Sequence, residues 1–179
     1  IPVEKYGVIY AGVQKNAGPA GLVVSIIRED LITDEVLPGT PTMLKWKTQA
    51  DADSLYNTPN CYAIYICGKV FHWVKDMGGL TAMKEHNEKK AALLYDFLDH
   101  SELFKGTVEK ESRSLMNVPF ITGDEALDKE FIAESTKAGF KNLKGHRTVG
   151  GMRASIYNAM PYEGVKALVD FMKDFEARH

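Results

Sequence analysis

Two short apolar runs near the start of the chain flank a turn made of small residues. The runs cover residues 7–13 and 22–28, and both are rich in β-branched side chains. Short apolar runs of this composition are typical of strands that are buried on both faces. The pattern therefore predicts two interior strands of a covered sheet, joined by a turn that contains Lys15, Gly18 and Gly21.

The middle of the chain has the pattern of two consecutive helices. Thr58 followed by Pro59 is typical of a helix start, with Thr58 as the N-cap and Pro59 at the first helical position. A first helix is expected over about residues 60–76 and a second over residues 80–98. The glycine pair 78–79 separates them and indicates a domain boundary.

Strands and helices alternate in the remaining residues, which indicates an α/β fold class. Residues 114–121 form the first predicted strand, in which Pro119 favours a sheet edge or a bulge. Four further elements are predicted: a helix over 124–138, strands over 140–144 and 152–157, and a helix over 161–177. Apolar residues with helical spacing mark one face of the last helix: Val165, Leu168, Val169, Met172 and Phe175.

Composition narrows the class of protein without identifying it. Apolar residues make up 45% of the 179 positions and charged residues 26%, which is typical of a soluble globular protein. A formal net charge of -2 provides no basic surface for nucleic acid or for an anionic membrane. No apolar run is as long as a transmembrane helix. We therefore expect neither nucleic acid nor a membrane as a partner.

The cysteines and histidines add two further expectations. Cys61 and Cys67 fall on different faces of one predicted helix, which argues against a disulfide between them and favours a cytoplasmic protein. No cluster of Cys and His has the spacing of metal ligands, so no metal site is predicted.

Lys15 is the first candidate for chemistry. The glycines around it, Gly12, Gly18 and Gly21, allow a flat ligand or another backbone segment to come close. A desolvated lysine in such a place loses its proton and attacks carbonyl carbons, whereas the commoner alternative is a solvated loop lysine. The neighbouring Gln14 either donates to a phosphate oxygen or caps the turn.

A basic, glycine-rich segment at residues 144–153 is the second candidate. Arg147 and Arg153 flank the glycine pair 150–151, and His146 lies next to Arg147. Arginine binds carboxylate and phosphate through paired hydrogen bonds. We therefore expect both arginines to converge on one small ligand with two anionic ends, with His146 as a third donor. The alternative is a basic surface turn in which Arg153 forms a structural ion pair.

The predicted start of the first long helix is the third candidate. A helix N-terminus attracts phosphate through its exposed amides and its dipole, so Asn57 and Thr58 are candidate phosphate contacts. Thr58 in isolation is better explained as a plain helix cap. The chain contains neither a P-loop nor a Ser/His/Asp or Cys/His arrangement.

Taken together, these segments resemble the phosphoserine aminotransferase family, whose members are class-V, fold-type I enzymes that use pyridoxal phosphate. The resemblance follows the whole chain in order, and the segment Gly145-His146-Arg147 is its most specific part. The matching segments are residues 7–12, 14–16, 55–59, 113–120 and 144–160.

The resemblance implies how the chain would hold the cofactor. Lys15 would form the Schiff base with pyridoxal 5'-phosphate and then move the substrate proton, while Gln14 would contact the cofactor phosphate. Asn57 and Thr58 would reach the cofactor phosphate of the neighbouring subunit, because the family builds its sites across a homodimer interface.

The substrate contacts and the reaction follow from the same resemblance. Arg153 would bind the substrate α-carboxylate, and His146 and Arg147 would bind the phosphate of phosphoserine or the side-chain carboxylate of glutamate. The expected reaction transfers the amino group of L-glutamate to 3-phosphohydroxypyruvate, which gives O-phospho-L-serine and 2-oxoglutarate for serine biosynthesis. The resemblance also implies a part in pyridoxine biosynthesis, by amination of a phosphorylated intermediate on the route to pyridoxal phosphate.

The resemblance implies a fold as well. Residues 1–77 would be the end of a fold-type I large domain with its connecting helix, and residues 78–179 the complete small C-terminal α/β domain. The family supplies an aspartate for the pyridine nitrogen, a stacking aromatic ring, a phosphate loop and another arginine from sequence before the position of Ile1. We therefore expect a piece of a longer polypeptide, inactive by itself. The alternatives are a non-catalytic dimerising fragment and a related pyridoxal-phosphate lyase or decarboxylase.

Overall fold

The structure is a computed structural model that describes all residues from Ile1 to His179. The chain forms two compact units, Ile1–Trp73 and Val74–His179. The assignment of residues 1–77 and 78–179 to a large and a small domain stays a prediction. The helices and strands are β1 (Val8–Gly12), β2 (Val23–Ile27), α1 (Trp46–Ala50), α2 (Cys61–Asp76), α3 (Gly79–His100), β3 (Lys105–Gly106), β4 (Asn117–Ile121), α4 (Glu125–Lys137), β5 (Met152–Ser155) and α5 (Tyr162–Glu176).

The first unit contains the two predicted strands, but they are not covered on both faces. β1 and β2 form a two-stranded antiparallel sheet in which Val8 pairs with Ile27 and Gly12 with Val23. Large apolar side chains remain exposed on both strands: Tyr10 is 76% exposed, Val23 60% and Ile26 51%. The prediction of interior strands is therefore wrong for this chain, because its first unit adds no further strand to this pair.

Helix α2 agrees with the predicted helix over 60–76, but its cap does not. Asn60 Oδ1 accepts a hydrogen bond from the Ala63 amide at 3.1 Å, which is the geometry of an N-cap. The predictions of Thr58 as the cap and of Pro59 as the first helical residue are therefore wrong. The turn Pro59–Cys61, in which the Cys61 amide donates to the Pro59 carbonyl at 2.8 Å, delays the helix by two residues.

The glycine pair ends α2 and starts α3, as predicted. Gly78 has a φ of 99° and Gly79 one of 77°, conformations that glycine adopts without a steric penalty. Helix α3 extends the predicted helix over 80–98 by one residue at its start and two at its end.

The second unit is built on a three-stranded antiparallel sheet with the order β3-β4-β5. Pro119 lies in the central strand, so the prediction of an edge position is wrong. Pro119 is tolerated there for two reasons. On one side, β3 ends at Gly106, which pairs with Phe120, so no strand residue of β3 lies opposite Pro119. On the other side, Arg153 lies opposite Pro119 but donates its amide to the Leu143 carbonyl. The predicted strand over 140–144 is also wrong, since only Lys144 forms a bridge, to Met152.

The core of the second unit lies between α3, α4, α5 and one face of the sheet. Phe131 of α4 packs edge-on against Phe104 and Phe175, with ring centroids 5.0 Å and 5.2 Å away. The helices predicted over 124–138 and 161–177 are confirmed as α4 and α5. The predicted apolar face of α5 is confirmed as well, because all five of its residues are buried: Val165, Leu168, Val169, Met172 and Phe175.

Three further observations concern the classes of site expected from the sequence. None of the helices combines the length and the apolar character that a membrane span needs. Cys61 and Cys67 are both free thiols. No group of three or more His, Cys, Asp or Glu side chains is arranged to hold a metal ion.

Candidate functional site

Lys15 lies in the loop that joins β1 to β2 in the first unit. Its φ of 83° is unusual for a residue with a side chain. A bridge between Gln14 and Gly18 closes the turn around it, and the Ala17 amide donates to the Val13 carbonyl at 3.3 Å. The loop therefore presents Lys15 at the tip of a closed turn whose base, Val13, is buried.

Close packing against α2 fixes this loop. A Cβ at Gly18 would lie 3.0 Å from Val13 Cγ1 and 3.4 Å from Cys67 Cα, and a Cβ at Gly21 would lie 3.1 Å from the Asn60 side chain. Gly18 and Gly21 also have φ values of 149° and 98°, so both positions favour glycine. The prediction of a close backbone approach is confirmed for Gly18, and a side chain approaches Gly21 closely. The prediction is wrong for Gly12, where a Cβ would meet nothing within 4 Å.

The predicted desolvation of Lys15 is wrong for the chain by itself. The side chains of Lys15 and Gln14 are both exposed. The surrounding glycines and alanines are too small to cover a long amine, and desolvation needs bulk over the side chain. Asn57 and Thr58 are exposed as well, and Asn57 Nδ2 donates to the Thr58 carbonyl at 3.0 Å.

The second unit holds His146 and Arg147 on a compact loop between residues 145 and 151. The Gly145 amide donates to the Gly151 carbonyl at 2.8 Å and so closes the loop. Inside it, the amides of Val149 and Gly150 both donate to the His146 carbonyl at 2.9 Å. These bonds fix the backbone that carries both candidate anion-binding side chains.

The histidine ring on this loop is oriented by its neighbour. His146 Nδ1 lies 2.8 Å from Thr148 Oγ1 and accepts a longer bond of 3.4 Å from the Thr148 amide. Because Nδ1 is the acceptor, the proton of the neutral ring lies on Nε2. His146 is exposed, so Nε2 can donate to an anion in solution.

An open groove of about 580 Å³ runs beside this loop. His146, Arg147 and Lys144 line it, together with the start of α4. Lys129, on the same groove, is neutralised by Glu125 at 2.8 Å, whereas Lys144 and Arg147 take part in none of the ion pairs of the chain. Glu125 and Asp128 also line the groove, so the part suited to an anionic group is the side that carries Lys144, His146 and Arg147.

Arg153 does not line this groove, and the convergence of Arg147 and Arg153 on one ligand stays a prediction. Arg153 lies on β5 opposite Pro119, on the sheet face that points away from the core. Its Nε atom is buried without a hydrogen-bond partner. The alternative of a structural ion pair is wrong, because no carboxylate of the chain pairs with Arg153.

Sequence reasoning missed a polar network on the same sheet face. Asn117 Oδ1 accepts from the Tyr157 hydroxyl at 3.2 Å and from Ser155 Oγ at 3.4 Å. Asn117 and Ser155 are directly paired across β4 and β5, two residues along each strand from the Pro119–Arg153 pair. The sequence does contain a signal for this network, because Asn117 is a polar amide within the otherwise largely apolar strand predicted over 114–121.

Comparison with known proteins gives a consistent result. A family model described as aminotransferase class-V matches residues 1–168. The phosphoserine aminotransferase of Streptococcus agalactiae serotype III (strain NEM316) is 57% identical over 178 residues, which is 99% of this chain and 48% of that protein.

Solved structures match equally well. The phosphoserine aminotransferase of Bacillus circulans subsp. alkalophilus is 47% identical, with a TM-score of 0.94 over 99% of this chain and 49% of that one. A pyridoxal-phosphate-bound phosphoserine aminotransferase from Trichomonas vaginalis is 40% identical, with a TM-score of 0.90 over 97% of this chain and 49% of that one.

The chain spans about half the length of the curated relatives it matches. The predicted resemblance to phosphoserine aminotransferases is confirmed, and so is the predicted fold class, an α/β part of a fold-type I aminotransferase. With a family match over 168 of its 179 residues, this chain belongs to the aminotransferase class-V family.

Proposed function

We propose that the complete protein transfers the amino group of L-glutamate to 3-phosphohydroxypyruvate and yields O-phospho-L-serine and 2-oxoglutarate. The reaction would serve serine biosynthesis, and amination of a further phosphorylated intermediate by the same site would serve pyridoxine biosynthesis. The observation that carries the proposal is the side chain of Arg153, whose buried Nε has no partner within the chain. No carboxylate of the chain pairs with the Arg153 guanidinium, so its terminal nitrogens can bind the carboxylate of an amino-acid substrate through paired hydrogen bonds.

Lys15 and its neighbours fit pyridoxal phosphate as the cofactor. Lys15 provides a primary amine at the tip of a closed turn, and Gln14 lies beside it. Asn57 and Thr58 would contact the cofactor phosphate of the neighbouring subunit. When bound, pyridoxal phosphate supplies an electron sink for the substrate α-carbon. Lys15 Nζ would hold the aldehyde carbon of the cofactor and carry the proton of the substrate α-carbon.

Arg153, His146 and Arg147 would select the substrate. Arg153 would bind the α-carboxylate that every amino-acid substrate shares. His146 Nε2 and the Arg147 guanidinium would bind the second anionic group, the phosphate of phosphoserine or the distal carboxylate of glutamate. The groove next to Arg147 does not include Arg153, which supports a site in which the two arginines come from different subunits.

We therefore propose a cytoplasmic homodimer whose active sites are shared across the interface. A second proposal concerns the 179-residue chain by itself. Lys15 is exposed, and Arg153 does not line the groove beside Arg147, so we expect this chain alone to be a non-catalytic fragment or dimerising module.

A direct assay tests the proposed reaction. The complete protein, loaded with pyridoxal phosphate, is given L-glutamate and 3-phosphohydroxypyruvate, and O-phosphoserine and 2-oxoglutarate are measured. We expect both products in equal amounts. Release of ammonia or carbon dioxide without O-phosphoserine would instead identify a lyase or a decarboxylase and would refute the proposal.

A further inference from the structure

Lys90 of α3 is a fully buried lysine, with 0% of its surface exposed. Its ammonium donates to three backbone carbonyls, those of Tyr157 at 2.8 Å, Met160 at 2.9 Å and Ile156 at 3.2 Å. An ammonium has three N–H donors, so one short segment, residues 156–160, satisfies all of them. No carboxylate takes part.

Two neighbours of Lys90 on α3 hold the same segment. Asn87 Nδ2 donates to Asn158 Oδ1 at 2.8 Å, and His86 Nε2 lies 3.3 Å from the Met160 carbonyl. Three polar side chains within five residues of one helix therefore bind residues 156–160. Burial alone lowers the pKa of Lys90, because it disfavours the charged form.

The bound segment continues directly from β5 and its arginine. The Ile156 amide donates to the Met116 carbonyl at 2.8 Å and so extends the pairing with the strand that carries Asn117. Tyr157 then donates its hydroxyl to Asn117 Oδ1. The 156–160 segment thereby fixes Asn117, which lies on the same outer sheet face as Arg153, two residues along β4 from its partner Pro119.

We propose that Lys90 is a positioning residue for Arg153. Lys90 holds the 156–160 segment through three carbonyls and so determines where Tyr157 and Asn117 lie. These two residues in turn determine the conformation in which Arg153 meets the substrate carboxylate. This inference rests on the proposed function of Arg153. A methionine would fill the same volume as Lys90, but three buried carbonyls would lose their donor, and each such loss is costly.

The test compares Lys90→Met with Lys89→Met in the complete protein loaded with pyridoxal phosphate. Lys89 is the exposed neighbour on the same helix and serves as the matched control. For Lys90→Met we expect the KM values for glutamate and for O-phosphoserine to rise about tenfold or more. We expect kcat and the absorption spectrum of the cofactor to stay close to those of the wild type. Lys89→Met should leave all of these quantities unchanged.

Asn87→Leu provides a second variant if Lys90→Met does not fold. The buried Oδ1 of Asn87 has no partner already, so leucine removes the bond to Asn158 without leaving a new unpaired atom on α3. We expect a smaller rise in the same two KM values. Unchanged KM values in both folded variants would overturn the inference.

A double-mutant cycle separates positioning from a general structural effect. If Lys90 acts through Arg153, adding Lys90→Met to Arg153→Ala should change KM by less than about twofold, because the two effects are not additive. Full additivity would contradict the inference, since it would mean that Lys90 acts elsewhere.

A measurement that needs no substrate tests the effect of Lys90 on Arg153 separately from the proposed reaction. The rate at which phenylglyoxal modifies Arg153, followed by peptide mass spectrometry, should rise several-fold in Lys90→Met and stay unchanged in Lys89→Met. If the wild-type protein fails to transaminate but the modification rate changes as expected, the proposed function fails and the positioning role stands. An unchanged rate refutes the positioning role in either case.

Discussion

Gly145 faces the carbonyl of Gly150 so closely that a β-carbon at residue 145 would lie 2.0 Å from that oxygen. No side chain fits at such a distance, and both residues belong to the loop that carries His146 and Arg147. The requirement for glycine at residue 145 is purely steric, because Gly145 does not have a positive φ.

Gly145→Ala should therefore displace the loop without touching either anion-binding side chain. We expect the bond from the Gly145 amide to the Gly151 carbonyl to break and the KM for O-phosphoserine to rise about tenfold or more, because hydrogen bonds between charged groups are lost. Steady-state kinetics on the complete protein measure this. Gly106→Ala is the control, since a β-carbon there would meet only Leu98 Cδ1 at an ordinary 3.9 Å. Equal KM values in the two variants would contradict the account of the loop.

The cap of α2 gives a prediction about stability. Because Asn60, and not Thr58, accepts the amide of Ala63, Asn60→Ala should lower the free energy of unfolding by about 1 kcal/mol. Thr58→Ala should change it by less than about 0.5 kcal/mol. Denaturant unfolding of the complete protein with each substitution checks both values. A larger loss for Thr58→Ala would restore the cap that the sequence predicts.

Asp99 gives a prediction about pH. Hydrogen bonds from Arg113, one of them at 2.9 Å to Oδ2, lower the pKa of Asp99 from 3.8 to about 2, and Lys110 contributes to the same shift. A carboxyl whose pKa is lower in the folded state stabilises the fold above its unfolded pKa. The contribution is therefore complete above about pH 4 and is lost as the pH falls toward 2.

Asp99→Asn should remove part of the acid sensitivity in this window. We expect the free energy of unfolding of the variant to fall less steeply than that of the wild type between about pH 4 and pH 2. Asp170→Asn is the control, because Asp170 only forms an exposed pair with Lys166 one helical turn away. If both variants keep the wild-type slope, the Arg113–Asp99 pair does not carry the pH dependence.

Elements whose contacts are local could be predicted from the sequence. The five apolar residues of α5 are spaced so that one face is buried whatever the helix packs against, and the structure buries all of them. The glycine pair 78–79 likewise acts through its own backbone. In both cases the cause lies within a few residues of the effect.

Features that depend on distant residues could not be predicted. Pro119 fits a central strand because β3, more than ten residues earlier, stops at Gly106, and because the Arg153 amide donates to Leu143. Residues 140–144 fail to form a strand because only Lys144 finds a partner, in Met152. The exposure of Lys15 depends on which residues pack over its loop. The sequence of the loop itself does not indicate those residues.

The identity of the lysine that holds the cofactor tests the central claim most directly. The complete protein is loaded with pyridoxal phosphate, reduced with borohydride and digested, and the labelled peptide is identified by mass spectrometry. Lys15→Ala, treated in the same way, is the control. We predict a phosphopyridoxyl group on Lys15 and none in the control, whereas a label on any other lysine, or a label that persists in Lys15→Ala, would contradict the account.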